Sequence, residues 1–229
     1  MNTVIILAGG RGSRMQAGIN KAYLPLGDKP ILAHTINIFN KHNLIDEIIL
    51  VVGVGEESMC KSRILNKIDS SKVKIVVTGG LERQNSVYNG LVKLSDECKV
   101  VLIHDGARPF VSANIIKKCI EEAMIHGAVT AAVPVKETIK VVKNDNIIDH
   151  TPDRTELWTT QTPQGFKKEI ILKAHMTAKS EDFIATDDAM LVESLGLQVR
   201  VVEGEYENIK ITTPEDLAMA QAILVSKKK

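Results

Sequence analysis

The sequence has almost no net charge, no long apolar run, only three cysteines and a single tryptophan. Twenty-nine Lys and Arg stand against 28 Asp and Glu, a formal charge of +1, and no block of like charge occurs before Lys227-Lys228-Lys229. That balance argues against nucleic acid as the main partner. No apolar stretch approaches the length of a membrane span, so no membrane partner is expected. Met1-Asn2-Thr3 runs directly into an apolar strand pattern and leaves no room for a signal peptide, so a cytoplasmic protein is expected. Cys60, Cys98 and Cys119 are odd in number and widely spaced, which suits reduced thiols better than a disulfide framework or a zinc site. Trp158 reads more readily as a packing anchor than as a stacking platform. There is no internal repeat and no low-complexity linker, and residues 1–229 are read as one α/β domain with an appendage.

What is present is concentrated at the start. Val4-Ile5-Ile6-Leu7-Ala8 breaks into Gly9-Gly10-Arg11-Gly12-Ser13-Arg14-Met15, with Lys21 close behind. A β-branched run ending in glycines predicts a buried strand feeding a tight turn, where backbone can approach a ligand closely. Amide N–H groups in such a loop point at anions, and Arg14 and Lys21 would add full charge. It matches neither of two better-known phosphate loops. No Lys-Ser or Lys-Thr pair follows the glycines, and Met15 stands where the third glycine of G-x-G-x-x-G belongs. The plain alternative is a strand-to-helix turn with surface arginines.

Apolar, β-rich runs then alternate with helical patterns. Helices are predicted near 30–43, 57–66, 82–94, 112–126 and 167–177, and strands at 47–54, 73–77, 100–104, 128–133, 198–202 and around 208–211. A last helix is opened by Thr213-Pro214-Glu215-Asp216. Alternation of this kind means right-handed βαβ units, hence a Rossmann-like, mainly parallel sheet with helices on both faces and ligands at its carboxyl edge. Between about 136 and 157 the pattern changes. Thr138 to Lys143, the turn cluster Asn144-Asp145-Asn146 and Ile147 to Thr151 read as an inserted β-hairpin. An isolated ribbon is marginally stable, so it must pack on its own domain or on a partner subunit as a dimerisation arm.

Other residues fall where this architecture places ligands. His104-Asp105-Gly106-Ala107-Arg108-Pro109 ends a buried strand, so Asp105 should emerge beside the glycine loop, where a lone carboxylate suits Mg²⁺. A turn cap for Asp105 and a surface ion pair for Arg108 are the bland alternatives. Gly79-Gly80 opens a second glycine turn, and Lys210, at the end of the strand predicted around 208–211, could bring another cation to the phosphates.

Six segments in order resemble one family over essentially the whole chain: LAGGRGSRM with Lys21, GG-x-ER-x-x-S at 79–86, HDGARP at 104–109, DR-x-x-LW-x-x-QTPQ-x-F at 153–166, TDDA at 186–189, and NIKIT-x-PEDL at 208–217. That family is the 2-C-methyl-D-erythritol 4-phosphate cytidylyltransferases. It joins the 4-phosphate of methylerythritol to the CMP moiety of CTP and releases pyrophosphate, in the non-mevalonate route to isoprenoids. The resemblance implies a cytoplasmic, Mg²⁺-dependent homodimer whose hairpin arm clasps the partner. It implies catalytic roles for Arg14, Lys21 and Lys210, nucleotide binding by Ala8, Gly9, Gly10, Gly12, Gly79, Gly80, Arg83, Ser86 and Asp105, and a metal link at Asp105. Arg108, Thr138, Arg154 and Thr186 would then serve the methylerythritol phosphate, with Thr138 and Arg154 reaching into the neighbour's site. Two departures are Leu7-Ala8-Gly9-Gly10, where the family often has Ala-Ala-Gly, and Leu81, where an acidic or polar residue is common. Ribitol-5-phosphate cytidylyltransferase is the nearest rival, and Gly106-Ala107 and the Asp153-Arg154 order favour methylerythritol over it. A non-catalytic CTP-binding module would be expected to lose some of Arg14, Lys21, Asp105 and Lys210, and all four are present.

Overall fold

Val4, Ile6 and Ala8 of strand β1 (Asn2–Ala8) pack on one face of the central sheet and Ile5 on the other, the period-two burial of a strand covered on both sides. In this computed structural model, residues 1–10 and 20–227 are described. The chain continues through β2 (Pro25–Leu26), β3 (Lys29–Pro30), α1 (Ile31–Lys41), β4 (Glu47–Val52), α2 (Glu57–Arg63), β5 (Val73–Thr78) and α3 (Arg83–Leu91). Next come β6 (Val100–Asp105), α4 (Ala113–His126), β7 (Ala128–Pro134), the short strands β8 (Val141–Val142) and β9 (Ile148–His150), and β10 (Trp158–Lys167). The chain closes with α5 (Lys168–Ser180), α6 (Asp188–Glu193), β11 (Arg200–Glu203) and α7 (Pro214–Ser226).

Seven strands form the main sheet in the order β11-β7-β10-β6-β1-β4-β5, with β10 alone antiparallel to its neighbours. Leu32, Ile36 and Phe39 of α1 and Ile116 and Ile120 of α4 cover one face, while Val87 and Leu91 of α3, Ile171 of α5 and Leu191 of α6 cover the other. A third cluster, Leu26, Ile31, Phe110, Ile211 and Ala220, seats α7 beside the β2–β3 ribbon. Helix starts follow the sequence. Ser112 accepts from Ile115 N–H, and Thr213 with Asp216 forms a reciprocal capping box. Among the described residues, no helix is long and apolar enough to cross a membrane.

The doubly covered, mainly parallel sheet and the inserted hairpin are the expected ones, with two corrections in detail. Residues 208–211 do not form a strand. Ile211 N–H reaches Ala107 O at 2.9 Å, but Ile211 is held by burial under α7 rather than by a ladder. The segment 158–167 is a central strand that carried no strand expectation, because Thr159, Thr160, Gln161, Thr162 and Gln164 lack the apolar signature of a covered strand. The hairpin pairs β8 with β9 and stands as its own two-stranded sheet. Its turn puts Asp145 and Asn146 at positive φ, 63° and 61°.

Candidate active site

The register sets the site. Leu7 pairs with Asp105 and Ala8 with Val52, so the carboxyl ends of β1, β4 and β6 lie level, and β5 follows through Val52 opposite Thr78. Each of the four strands is followed at once by glycine: Gly9, Gly53, Gly79 and Gly106. A Cβ on Gly79 would lie 2.9 Å from Ser86 Oγ and 3.1 Å from Val52 O, and one on Gly106 would lie 2.9 Å from Leu7 O. Backbone thus approaches backbone along this edge and leaves a cavity of about 730 Å³. Ala8, Gly9, Gly10, Lys21, Gly79, Gly80, Arg83, Ser86, Asp105 and Lys210 line it. A second cavity, of about 130 Å³, adjoins it. It is lined by Arg108, Thr160, Gln161, Thr162, Gln164, Thr186 and Asp187, and it shares Arg83, Asp105 and Lys210 with the first.

Asp105 is the hub. Its Oδ2 lies 2.9 Å from Lys210 Nζ and 3.5 Å from Arg108 Nε, and its Oδ1 lies 3.8 Å from Arg83 Nε. Burial alone would raise the Asp105 pKa, but Lys210, then Arg83 and Arg108, outweigh it and hold the carboxyl well below the usual carboxylate range. Three cations thus converge on Asp105 at the junction of the cavities, where their N–H groups can meet phosphate oxygens.

The backbone of this turn is pinned from below. Asp105 N–H donates to Thr162 Oγ1 at 3.0 Å, so that hydroxyl keeps its own hydrogen for His104 Nδ1, 3.1 Å away. His104 Nε2 faces the Arg108 carbonyl at 3.1 Å and must carry the other proton. Burial pushes the imidazole down to about 4, against the opposing Arg108 hydrogen bond, so the ring is neutral at pH 7. Arg108 Nη1 donates to Asn208 O at 2.7 Å, and Asn208 Nδ2 donates to Thr162 O at 2.9 Å, which ties the Lys210 segment to the same turn. Across the cavity, Asn20 Nδ2 donates to Ala8 O at 2.5 Å and to Glu56 Oε2 at 2.8 Å, while Asn20 Oδ1 accepts from Ala22 N–H, fixing the backbone on both sides of Lys21. Ser86 Oγ accepts from Gly80 N–H at 3.0 Å and donates to Glu82 O at 3.1 Å, closing the second glycine turn.

Most of the sequence candidates therefore meet in one place. Gly12 and Arg14 lie outside the described residues. Thr138 and Arg154 are exposed on the arm and belong to neither cavity lining. Arg154 Nη1 instead donates to Lys136 O at 2.8 Å. Asn20, Glu56, Thr162, Gln164, Asn208 and Asp188 support the site without being among the sequence candidates. Thr162, Gln164, Asn208 and Asp188 lie inside the matching motifs, a signal that could have found them, whereas Asn20 and Glu56 had none.

A metal was expected at Asp105. Among the described residues, no three His, Cys, Asp or Glu side chains gather into a metal-binding group. The donor set nevertheless fits Mg²⁺, which needs only one or two protein carboxylates and takes phosphates and water for the rest. Asp105 Oδ2 is engaged by Lys210, while Oδ1 meets Arg83 only at 3.8 Å, beyond hydrogen-bond reach.

A covered parallel sheet with a glycine-lined edge, a nucleotide-sized cavity and a cation cluster at the junction with a smaller one is the arrangement a nucleotidyltransferase needs. The model of one family, IspD, 2-C-methyl-D-erythritol 4-phosphate cytidylyltransferase, matches residues 2–226. The chain belongs to that family. It is 52% identical over 226 residues to the 2-C-methyl-D-erythritol 4-phosphate cytidylyltransferase of Alkaliphilus metalliredigens, covering 99% of this chain and 94% of that protein. To the protein of that name from Clostridioides difficile it is 48% identical over 229 residues, 100% of this chain and 96% of the relative. The crystal structure of 4-diphosphocytidyl-2C-methyl-D-erythritol synthase from Anaerococcus prevotii superposes with a TM-score of 0.87 at 36% identity, covering 98% of this chain and 96% of that one.

Proposed function

We propose that this protein joins CTP and 2-C-methyl-D-erythritol 4-phosphate to give 4-diphosphocytidyl-2-C-methyl-D-erythritol and pyrophosphate. The observation that carries the reading is the meeting of a nucleotide-sized and a phosphate-sized cavity at Asp105, Lys210 and Arg83. The acceptor is a phosphate monoester with a second pKa of about 6, ionised at neutral pH, so no general base is needed. The obstacle is repulsion between that dianion and the triphosphate. Lys21 and Lys210 offset the charge that builds on the α-phosphate and the departing pyrophosphate, a role the family resemblance also gives to Arg14, and Arg108 and Thr186 hold the acceptor phosphate in the smaller cavity. Mg²⁺ held by Asp105 would supply further neutralisation of the triphosphate and the pyrophosphate.

The active form in this reading is a homodimer. Val142, Ile147 and Ile148 of the arm are exposed, and Thr138 and Arg154, which line neither cavity of their own chain, would complete the partner's site. Three unpaired, buried thiols support a reducing, cytoplasmic setting.

Pyrophosphate release from CTP with a panel of polyol phosphates tests the reading. Methylerythritol 4-phosphate should give the highest kcat/KM. Equal or better turnover of ribitol 5-phosphate would move the chain to the sister activity, and CTP binding without release for any acceptor would leave a nucleotide-binding module.

A further inference from the structure

Arg83 sits in the partition between the two cavities, and its guanidinium is gripped from behind. Nη1 donates to Asp188 Oδ2 at 2.7 Å, and Asp188 Oδ1 lies 3.1 Å from His175 Nε2. The Asp188 and His175 side chains are each 1% exposed, so this carboxylate reaches neither solvent nor substrate. Its backbone N–H is fixed by Gln164 Oε1 at 3.1 Å, and the amide of the same Gln164 donates to Thr130 Oγ1 and Asp187 Oδ2, both at 2.9 Å. Burying a carboxylate costs desolvation unless it is paired, and this one is paired on both oxygens, with Arg83 and with His175. What the carboxylate achieves is orientation. With Nη1 turned to Asp188, the rest of the fork is presented to the junction, Nε 3.8 Å from Asp105 Oδ1. Arg83 is paired with Asp188 and Asp105 and also feels Asp187, whereas Arg108 and Lys210 pair with Asp105, so the cations of the junction are held in place by carboxylates around them.

We propose that Arg83 is a catalytic cation spanning the acceptor phosphate and the transferred α-phosphate, and that Asp188 and His175 are the positioning residues that aim it. The inference rests on the cytidylyl-transfer reading. In that step an acceptor phosphate oxygen bonds to the α-phosphorus as the bond from that phosphorus to the bridging oxygen breaks, and the electron pair leaves with pyrophosphate. Arg83 donates N–H groups to non-bridging oxygens of both phosphates and exchanges no proton, since its guanidinium stays charged throughout. A planar fork can serve two phosphates at once, which a lysine ammonium cannot match in geometry.

The test compares wild type, Arg83→Lys, Asp188→Asn and the double variant in kcat, in KM for CTP and in preference for CTP over UTP. Arg83→Lys should lower kcat on the order of 10- to 100-fold, the range of a lost donor at developing charge, with the CTP preference unchanged. Asp188→Asn should cost less, and the double variant should be no slower than Arg83→Lys, because Asp188 acts only through Arg83. Arg83 is 30% exposed at a helix start, so its variant is expected to fold; if Asp188→Asn does not, His175→Gln loosens the same carboxylate from its other side. Wild-type kcat in Arg83→Lys, or losses that multiply in the double variant, would overturn the inference. So would a lost preference for CTP at unchanged kcat, which would return Arg83 to base recognition. A wild type that releases no pyrophosphate with any acceptor refutes the transfer reading itself and this inference with it.

Discussion

Lys210 Nζ stands 2.9 Å from Asp105 Oδ2 because Ile211, next in the chain, is buried under α7 and its N–H is bonded to Ala107 O. The α7 cluster therefore sets the position of a cation at the mouth of both cavities. If Lys210 acts on the triphosphate as proposed, Lys210→Ala should lower kcat by about a hundredfold, on the order of 3 kcal/mol, with a smaller change in KM for CTP. Steady-state kinetics decide the matter. Unchanged turnover would reduce Lys210 to a partner for Asp105.

The edge of the sheet was legible because its chemistry is local. Gly9, Gly79 and Asp105 each follow or end an apolar run, and a strand ending in glycine announces its own position. Gly53 obeys the same rule, but the strand expected over 47–54 runs through it, whereas the observed strand stops at Val52. What the sequence hid was non-local. Asn20 matters through Glu56 and Ala8 O, and Asp188 through Arg83 and His175, pairings that exist only once the sheet has brought distant segments together. β10 was hidden for a different reason. Its polar residues are satisfied by site partners, as Thr162 is by Asp105 and His104, so a buried strand lacks a hydrophobic signature where it serves the site.

Gly79→Ala tests the close approach at the second glycine turn. The new methyl would press on Ser86 Oγ, which can rotate, and on the Val52 carbonyl, which cannot. Overpacking of this kind costs roughly 1–3 kcal/mol. The turn lines the nucleotide cavity, so KM for CTP should rise several-fold while kcat changes less. A variant indistinguishable from wild type in both KM and thermal unfolding would show that the turn yields freely.

His104 gives the fold a pH dependence with a defined window. Below its ordinary value of 6.5 the unfolded chain takes up a proton that the buried ring refuses until about pH 4. The unfolded state thus binds more protons across that interval, and stability falls on acidification by up to about 3 kcal/mol from this group. Asp105 and Asp188, both held below the ordinary 3.8, lose their contributions only at lower pH. Urea unfolding between pH 6.5 and 4 should therefore show a shallower slope in His104→Asn than in wild type. Equal slopes would mean that the ring titrates normally in the folded state.

The arm is tested by mixing two dead proteins. If Arg154 of one subunit completes the site that contains the other subunit's Lys21, Lys21→Ala and Arg154→Ala homodimers should each be nearly inactive. In a mixed dimer one site then carries both lesions and the other carries neither. With random exchange at equal amounts half the dimers are mixed, each with one intact site of two, so activity per subunit should recover to roughly a quarter of wild type under two-fold symmetry. Were both residues in the same subunit's site, every site would retain one lesion and mixing would restore nothing. Arg154 is already absent from both cavity linings of its own chain, which favours recovery. Inactive mixtures, with subunit exchange confirmed by mass spectrometry of tagged chains, would remove Arg154 from the neighbour's site.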